Sequence, residues 1–143
     1  MSACPKVLIA AFLILTMTGA VAQAYTIPDK QIDRRRIFWG SPTDFEKPGK
    51  VEYGKVVKAT PEYKEVYKKK VERGSGKYWL LMSRASDRAV RAIIRFGEKS
   101  DYDLIAQAGY LGSLDPAIPA DDVTDRVLKM LKEQEKDPDE AEE

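Results

Sequence analysis

Residues 91–131, RAIIRFGEKSDYDLIAQAGYLGSLDPAIPADDVTDRVLKML, constrain the fold more than any other stretch, because three elements succeed one another there in a readable order. The end of an amphipathic helix comes first, with Ala92, Ile93 and Phe96 continuing an inner face begun by Leu81, Ala85 and Ala89. Gly97 and the polar run Glu98-Lys99-Ser100-Asp101 close it, so the helix is predicted over Leu80 to Lys99. Tyr102-Asp103-Leu104-Ile105-Ala106 then reads as a strand with Tyr102, Leu104 and Ala106 on one side. Gly109 predicts a hairpin turn into a second strand, Tyr110 to Leu114. Asp115-Pro116 and Ile118-Pro119 enforce a loop. Asp121, Asp122 and Thr124 then offer alternative N-caps for a last helix that carries Val123, Val127, Leu128 and Leu131 inward.

Upstream, Val51, Tyr53, Val56 and Val57 are β-formers and predict a short strand. Thr60-Pro61-Glu62 is a helix start: Thr60 can cap, Pro61 suits the first helical position and Glu62 favours the positive end of the dipole. Tyr63, Val66, Tyr67 and Val71 form one apolar face opposite Lys64, Lys68, Lys69 and Lys70. Arg73-Gly74-Ser75-Gly76-Lys77 reverses the chain. The GSGK within it lacks the spacing of a phosphate-binding loop, and Tyr78 stands where Ser or Thr would hold magnesium.

Residues 1–24 have the form of a secretory signal: Lys6, an apolar run from Val7 to Leu15, and Ala22-Gln23-Ala24 as a cleavage site. The run is diluted by Thr16, Thr18 and Gly19 before it reaches the roughly 20 residues a membrane span needs. Export and cleavage would leave about 120 residues, enough for one modest core. The sequence has no histidine, and its one cysteine, Cys4, lies within the signal. Disulfides, His/Cys zinc sites, Cys nucleophiles and a Ser-His-Asp arrangement are therefore excluded from the exported chain. The carboxylate pairs Asp101/Asp103 and Asp121/Asp125 are the best remaining acid–base candidates, yet each sits at a strand or helix entrance, where carboxylates serve exposed amides. No catalytic residue, cofactor or metal site is expected.

Charge is distributed unevenly. Residues 25–132 carry 22 Lys/Arg against 16 Asp/Glu, whereas residues 133–143, EQEKDPDEAEE, carry 7 Asp/Glu against one Lys. That terminal segment has no apolar side chain larger than alanine and is predicted to be an acidic disordered tail, either solubilising or competing for the basic surface. Residues 25–50 contain three prolines, two glycines and no sustained period, which predicts an extended N-terminal arm. In it Arg34, Arg35 and Arg36 precede Ile37, Phe38 and Trp39. This mixture suits a partner surface or an anionic lipid interface, unless Phe38 and Trp39 simply cover an edge of the protein's own core. In the hairpin, Arg84, Arg88, Arg91 and Arg95 recur at intervals of four, three and four. Together with Lys68, Lys69 and Lys70 they predict electrostatic capture of acidic partners, with Tyr78 and Trp79 as apolar contacts at the turn.

The blocks 51–63 and 91–131 resemble the Skp/OmpH family of periplasmic chaperones, which hold unfolded outer-membrane proteins without ATP. Tyr102-Asp103-Leu104-Ile105 is similar to the family's GYDLV-like strand, and Asp122-Val123-Thr124-Asp125-Arg126-Val127 to its DITDEV helix start. The resemblance implies an α+β fold in the order β-α-α-β-β-α: a small β-sheet body, a projecting helical hairpin and a C-terminal helix, over residues 51–132. It also implies a homotrimer in the periplasm of a Gram-negative bacterium, acting in outer-membrane biogenesis on unfolded or acidic protein clients, with no nucleic acid as partner. The sequence departs from the family in its much shorter hairpin, about Glu62 to Lys99, and in the arm at 25–50. A helix of 20 residues extends only about 30 Å, a cup rather than a cage. The alternative function is an envelope adaptor that binds a folded partner or an anionic membrane surface through residues 32–39 and the basic hairpin.

Overall fold

The computed structural model describes residues 22–136; residues 1–21 of the predicted signal segment 1–24 and residues 137–143 of the predicted acidic tail lie outside the described residues. The fold is α+β. Four strands, β1 (Ile37–Gly40), β2 (Pro48–Val51), β3 (Leu104–Gln107) and β4 (Asp121–Asp122), form one mixed sheet in the order β1-β3-β2-β4. Strand β3 runs antiparallel to β1 and parallel to β2, with Pro48 opposite Leu104 and Val51 opposite Gln107. A parallel pair needs a crossover. Here it consists of three helices, α1 (Tyr53–Ala59), α2 (Pro61–Lys68) and α3 (Gly76–Lys99), and a fourth, α4 (Thr124–Lys136), closes the chain.

Alternation along β3 divides the interior in two. Ile105 points to one face, where it joins Val51, Val56, Ala89, Ala92, Ile93, Phe96, Val123, Val127 and Leu131 beneath the helices. Leu104 and Ala106 point to the other, where Ile27, Phe45, Tyr110, Leu111, Leu114 and Ile118 cover them. Tyr102 departs from the predicted alternation: it precedes the strand, stacks near Phe96 and belongs to the helical face.

The predicted extended arm is corrected. Residues 25–51 supply two of the four strands, and Ile27 and Phe45 are two of the six buried residues that cover the second core. Tyr25 and Phe45 exchange backbone hydrogen bonds of 2.7 and 3.0 Å, and the Ile27 amide donates to the Pro42 carbonyl. The Tyr110 hydroxyl donates to the Gln31 carbonyl and accepts from the Asp33 amide. The Gln31 side chain and the Asp115 backbone exchange a further pair. Proline and glycine do mark irregular backbone, but that backbone is satisfied by distant partners rather than by water.

Three further predictions are corrected. The strand expected from Val51 ends there, and Tyr53–Ala59 is helical, because Val56 and Val57 gain a place in the core that a strand would have denied them. The Gly109 turn is real, at φ +86°, but Leu111–Ser113 forms a short 3-10 turn instead of a second hairpin strand, dropping Leu111 and Leu114 under the sheet. Helix α4 also runs to Lys136, so residues 133–136 of the predicted disordered tail are helical.

The helix starts follow local chemistry. Buried Thr60 caps α2, its Oγ1 accepting from the Tyr63 amide while donating to the Val57 carbonyl at the end of α1. Ser75 caps α3 through the Tyr78 amide, so that helix begins at Gly76, earlier than predicted. At α4, the Asp122 carboxylate accepts from the Thr124 amide, and Thr124 Oγ1 accepts from the Glu52 amide, tying the helix start to the end of β2.

Candidate functional site

Helices α2 and α3 pack against each other and are joined by the Glu62–Arg88 ion pair; Val66 on α2 and Leu81 on α3 are buried. Downstream, α3 is enclosed by α1, α4 and β1, and Ala85, Ala89, Ala92, Ile93 and Phe96 are consumed by the core. The hairpin therefore does not project as a long arm. Only its tip stands clear: the end of α2, the turn at 69–75, where Lys70 takes φ +47° and Gly74 φ +86°, and the first turns of α3.

Apolar side chains collect at that tip. Tyr67 is 57% exposed, Trp79 63% and Leu80 51%, and they are the exposed large hydrophobics among the described residues. Tyr78 meets Trp79 edge to face at 5.3 Å, and Tyr63 lies 4.9 Å from Tyr67, to whose oxygen its hydroxyl donates at 3.0 Å. This donation, seconded by the Arg73 guanidinium, holds the Tyr67 phenol below its ordinary pKa, and Tyr63, as the donor, is raised. Lys64, Lys68, Lys69, Lys70, Arg73 and Lys77 are exposed along the same stretch of chain. Lys69 pairs with Glu65 at 2.8 Å and holds that carboxyl low, with Lys77 and Arg84 adding to the effect from α3. Exposed apolar and cationic side chains thus alternate over the two helix ends, a composition suited to a partner that presents aromatic or aliphatic groups beside carboxylates.

The predicted arginine stripe is only partly available. Arg88 chelates Glu62, with Nε 2.8 and 2.9 Å from its two carboxylate oxygens and the other guanidinium contact at 2.7 Å, and so pins α3 to α2. Arg95 is half-buried and also has a partner within the protein. Arg84 and Arg91 remain exposed.

The second predicted cluster is separated from the first. Phe38 stacks on Tyr53 at 5.5 Å, and Trp39 covers Gly97 near the far end of α3, so both serve the protein's own core edge. From Gly97 to Trp79 is about 27 Å along the helix. Arg34, Arg35 and Arg36 are exposed, with Asp33 pairing Arg35 and Arg36 at 3.5 Å each; the Arg36 guanidinium lies 5.9 Å from the Tyr110 ring centroid, and Arg34 lines a shallow cavity of about 300 Å³ together with Phe38 and Trp39. Of the candidate carboxylates, Asp103 accepts from the Glu46 and Lys47 amides, Asp101 pairs with Lys47, and Asp121 accepts from the Tyr102 hydroxyl.

Sequence reasoning singled out Tyr78 and Trp79 but passed over Leu80 and placed Tyr67 on the inner face. A signal for Leu80 was present: one residue before Leu81, it stands about 100° around the helix from the inner stripe. No protein family, no characterised protein and no solved structure matches the chain in comparison.

Proposed function

We propose that this protein is a non-enzymatic, ATP-independent binding protein that captures unfolded or acidic polypeptide segments at its hairpin tip. It would act as a holdase in the periplasm, after export, in the manner the Skp/OmpH resemblance implies. The observation that carries this reading is the exposure of Tyr67, Trp79 and Leu80 on the two helix ends that flank the 69–75 turn, a stretch that also carries exposed lysines. Apolar contact supplies affinity without sequence preference, and the cations raise the local concentration of acidic chains. A shallow tip argues for transient shielding of exposed segments rather than enclosure of a whole client. Association into a trimer would join several tips and raise avidity through effective concentration.

The test is suppression of aggregation of an unfolded outer-membrane protein by excess protein at low salt, compared with the double variant Trp79→Ser/Leu80→Ser. Protection lost in the variant and weakened by salt supports the reading; equal protection by both, or none by either, overturns it. Light scattering on the same samples gives the number of subunits that engage the client.

A second reading is favoured by one feature. Trp79 and Leu80 are exposed at consecutive positions beside Lys77, the composition of an interfacial anchor on an anionic lipid surface. Co-sedimentation with vesicles containing anionic lipid, without effect on client aggregation, would select it.

A further inference from the structure

The C-terminal turn of α4 ends beside α2, and the two elements frame a groove of about 360 Å³ lined by Pro61, Lys64, Glu65, Lys68, Lys69 and Glu135. Lys64 and Lys68 make no ion pair among the described residues, whereas Lys69 is paired with Glu65. The groove thus carries a cationic surplus on one helix face, and the chain arrives at its rim through Glu135 and Lys136.

Beyond Lys136 the sequence continues as Asp137-Pro138-Asp139-Glu140-Ala141-Glu142-Glu143, which has five carboxylates and no cation. We propose that this acidic segment docks in cis on the lysine face of α2 and occupies the groove. Seven residues span up to about 24 Å, whereas the eight residues of α2 extend about 12 Å; the segment reaches every lysine of that helix. A tethered segment also experiences an effective concentration in the millimolar range, enough for weak charge pairs that a free peptide of the same sequence would not hold. Alanine is its largest apolar side chain besides proline, so the docking is electrostatic and screened by salt. This inference goes beyond the tip reading and needs only the groove and the charge: the tip would stay open while the lysine flank is covered, so that an acidic partner must displace the segment.

The experiment compares amide spectra of the labelled full chain with those of a variant carrying Asp137→Asn, Asp139→Asn, Glu140→Gln, Glu142→Gln and Glu143→Gln. The expected result is a shift of the amides of residues 62–69 between the two proteins, reproduced in the wild type by raising salt and absent from the salt response of the variant. Unchanged amides elsewhere report that the variant folds. The reciprocal variant Lys64→Gln/Lys68→Gln should move the wild-type amides of residues 139–143. Differences confined to residues 134–143, with α2 unmoved, overturn the proposal. Shifts in α2 that grow with protein concentration overturn it as well, because they place the segment on a second copy.

Discussion

Trp39 lies so close over Gly97 that a β-carbon on the glycine would stand 2.3 Å from the indole Cγ. Strand β1 can approach α3 only because residue 97 has no side chain, and this contact turns residues 37–40 from a prospective free arm into one edge of the sheet. Gly97→Ala is expected to cost about 1–3 kcal/mol as the indole is pushed out of its seat. In a Trp39→Leu background the same substitution should cost markedly less. A urea double-mutant cycle reads the coupling, and purely additive effects would show that the contact is not stabilising.

At the tip, Trp79→Ser and Leu80→Ser should leave the fold within about 0.5 kcal/mol of the wild type, because both side chains are largely in water. Client affinity, by contrast, should fall by about 2 kcal/mol for the tryptophan, some 30-fold in Kd, if it is the central contact. Denaturant melts and fluorescence titration of an unfolded client give the two quantities separately.

Arg88 and Arg91 belong to one sequence stripe but should behave differently. Removing Arg88 strands the Glu62 carboxylate, whose side chain is only 15% exposed, while the arginine itself is 33% exposed. Partial solvation reduces the effect from that of a fully buried pair to about 1–2 kcal/mol. Arg91→Ala, at an exposed position, should change stability by less than about 0.5 kcal/mol. Equal effects in chemical denaturation would contradict the division of the stripe into a structural and an available half.

Asp122 supplies a pH dependence. Its carboxyl is held below its ordinary pKa, first by the Thr124 hydroxyl and then by the Thr124 amide at the start of α4. The charged form is the one the fold prefers. Its contribution is therefore complete above the unfolded carboxyl's pKa and disappears as pH falls through the lower folded value. Asp122→Asn should cost about 0.3–1 kcal/mol at neutral pH, the worth of a carboxylate charge near an exposed helix start, with the difference from wild type shrinking towards zero on acidification. A difference that is constant with pH would remove the carboxylate from the account.

Much of the fold follows from local chemistry that can be read directly. The cap at Thr60 with Pro61 behind it, the inner face of α3 from Leu81 to Phe96, the strand around Leu104 and Ile105, and the final helix with Val127 and Leu131 inside all depend on neighbours within a few residues. The α+β class follows from them. Tertiary structure decided the rest, because the deciding partners lie far apart in sequence. Nothing near Trp39 announces Gly97, nothing near Gln31 announces Asp115, and Arg88 looks like Arg91 until Glu62 is placed opposite it. The same holds for Tyr67: helical period puts it near the inner stripe, but the core reaches Tyr63 and stops short of Tyr67, so a residue with a buried pattern is left in water near the end of α2. Periodicity records which face of a helix is apolar. Whether another element arrives to cover that face is settled only by how the whole chain packs.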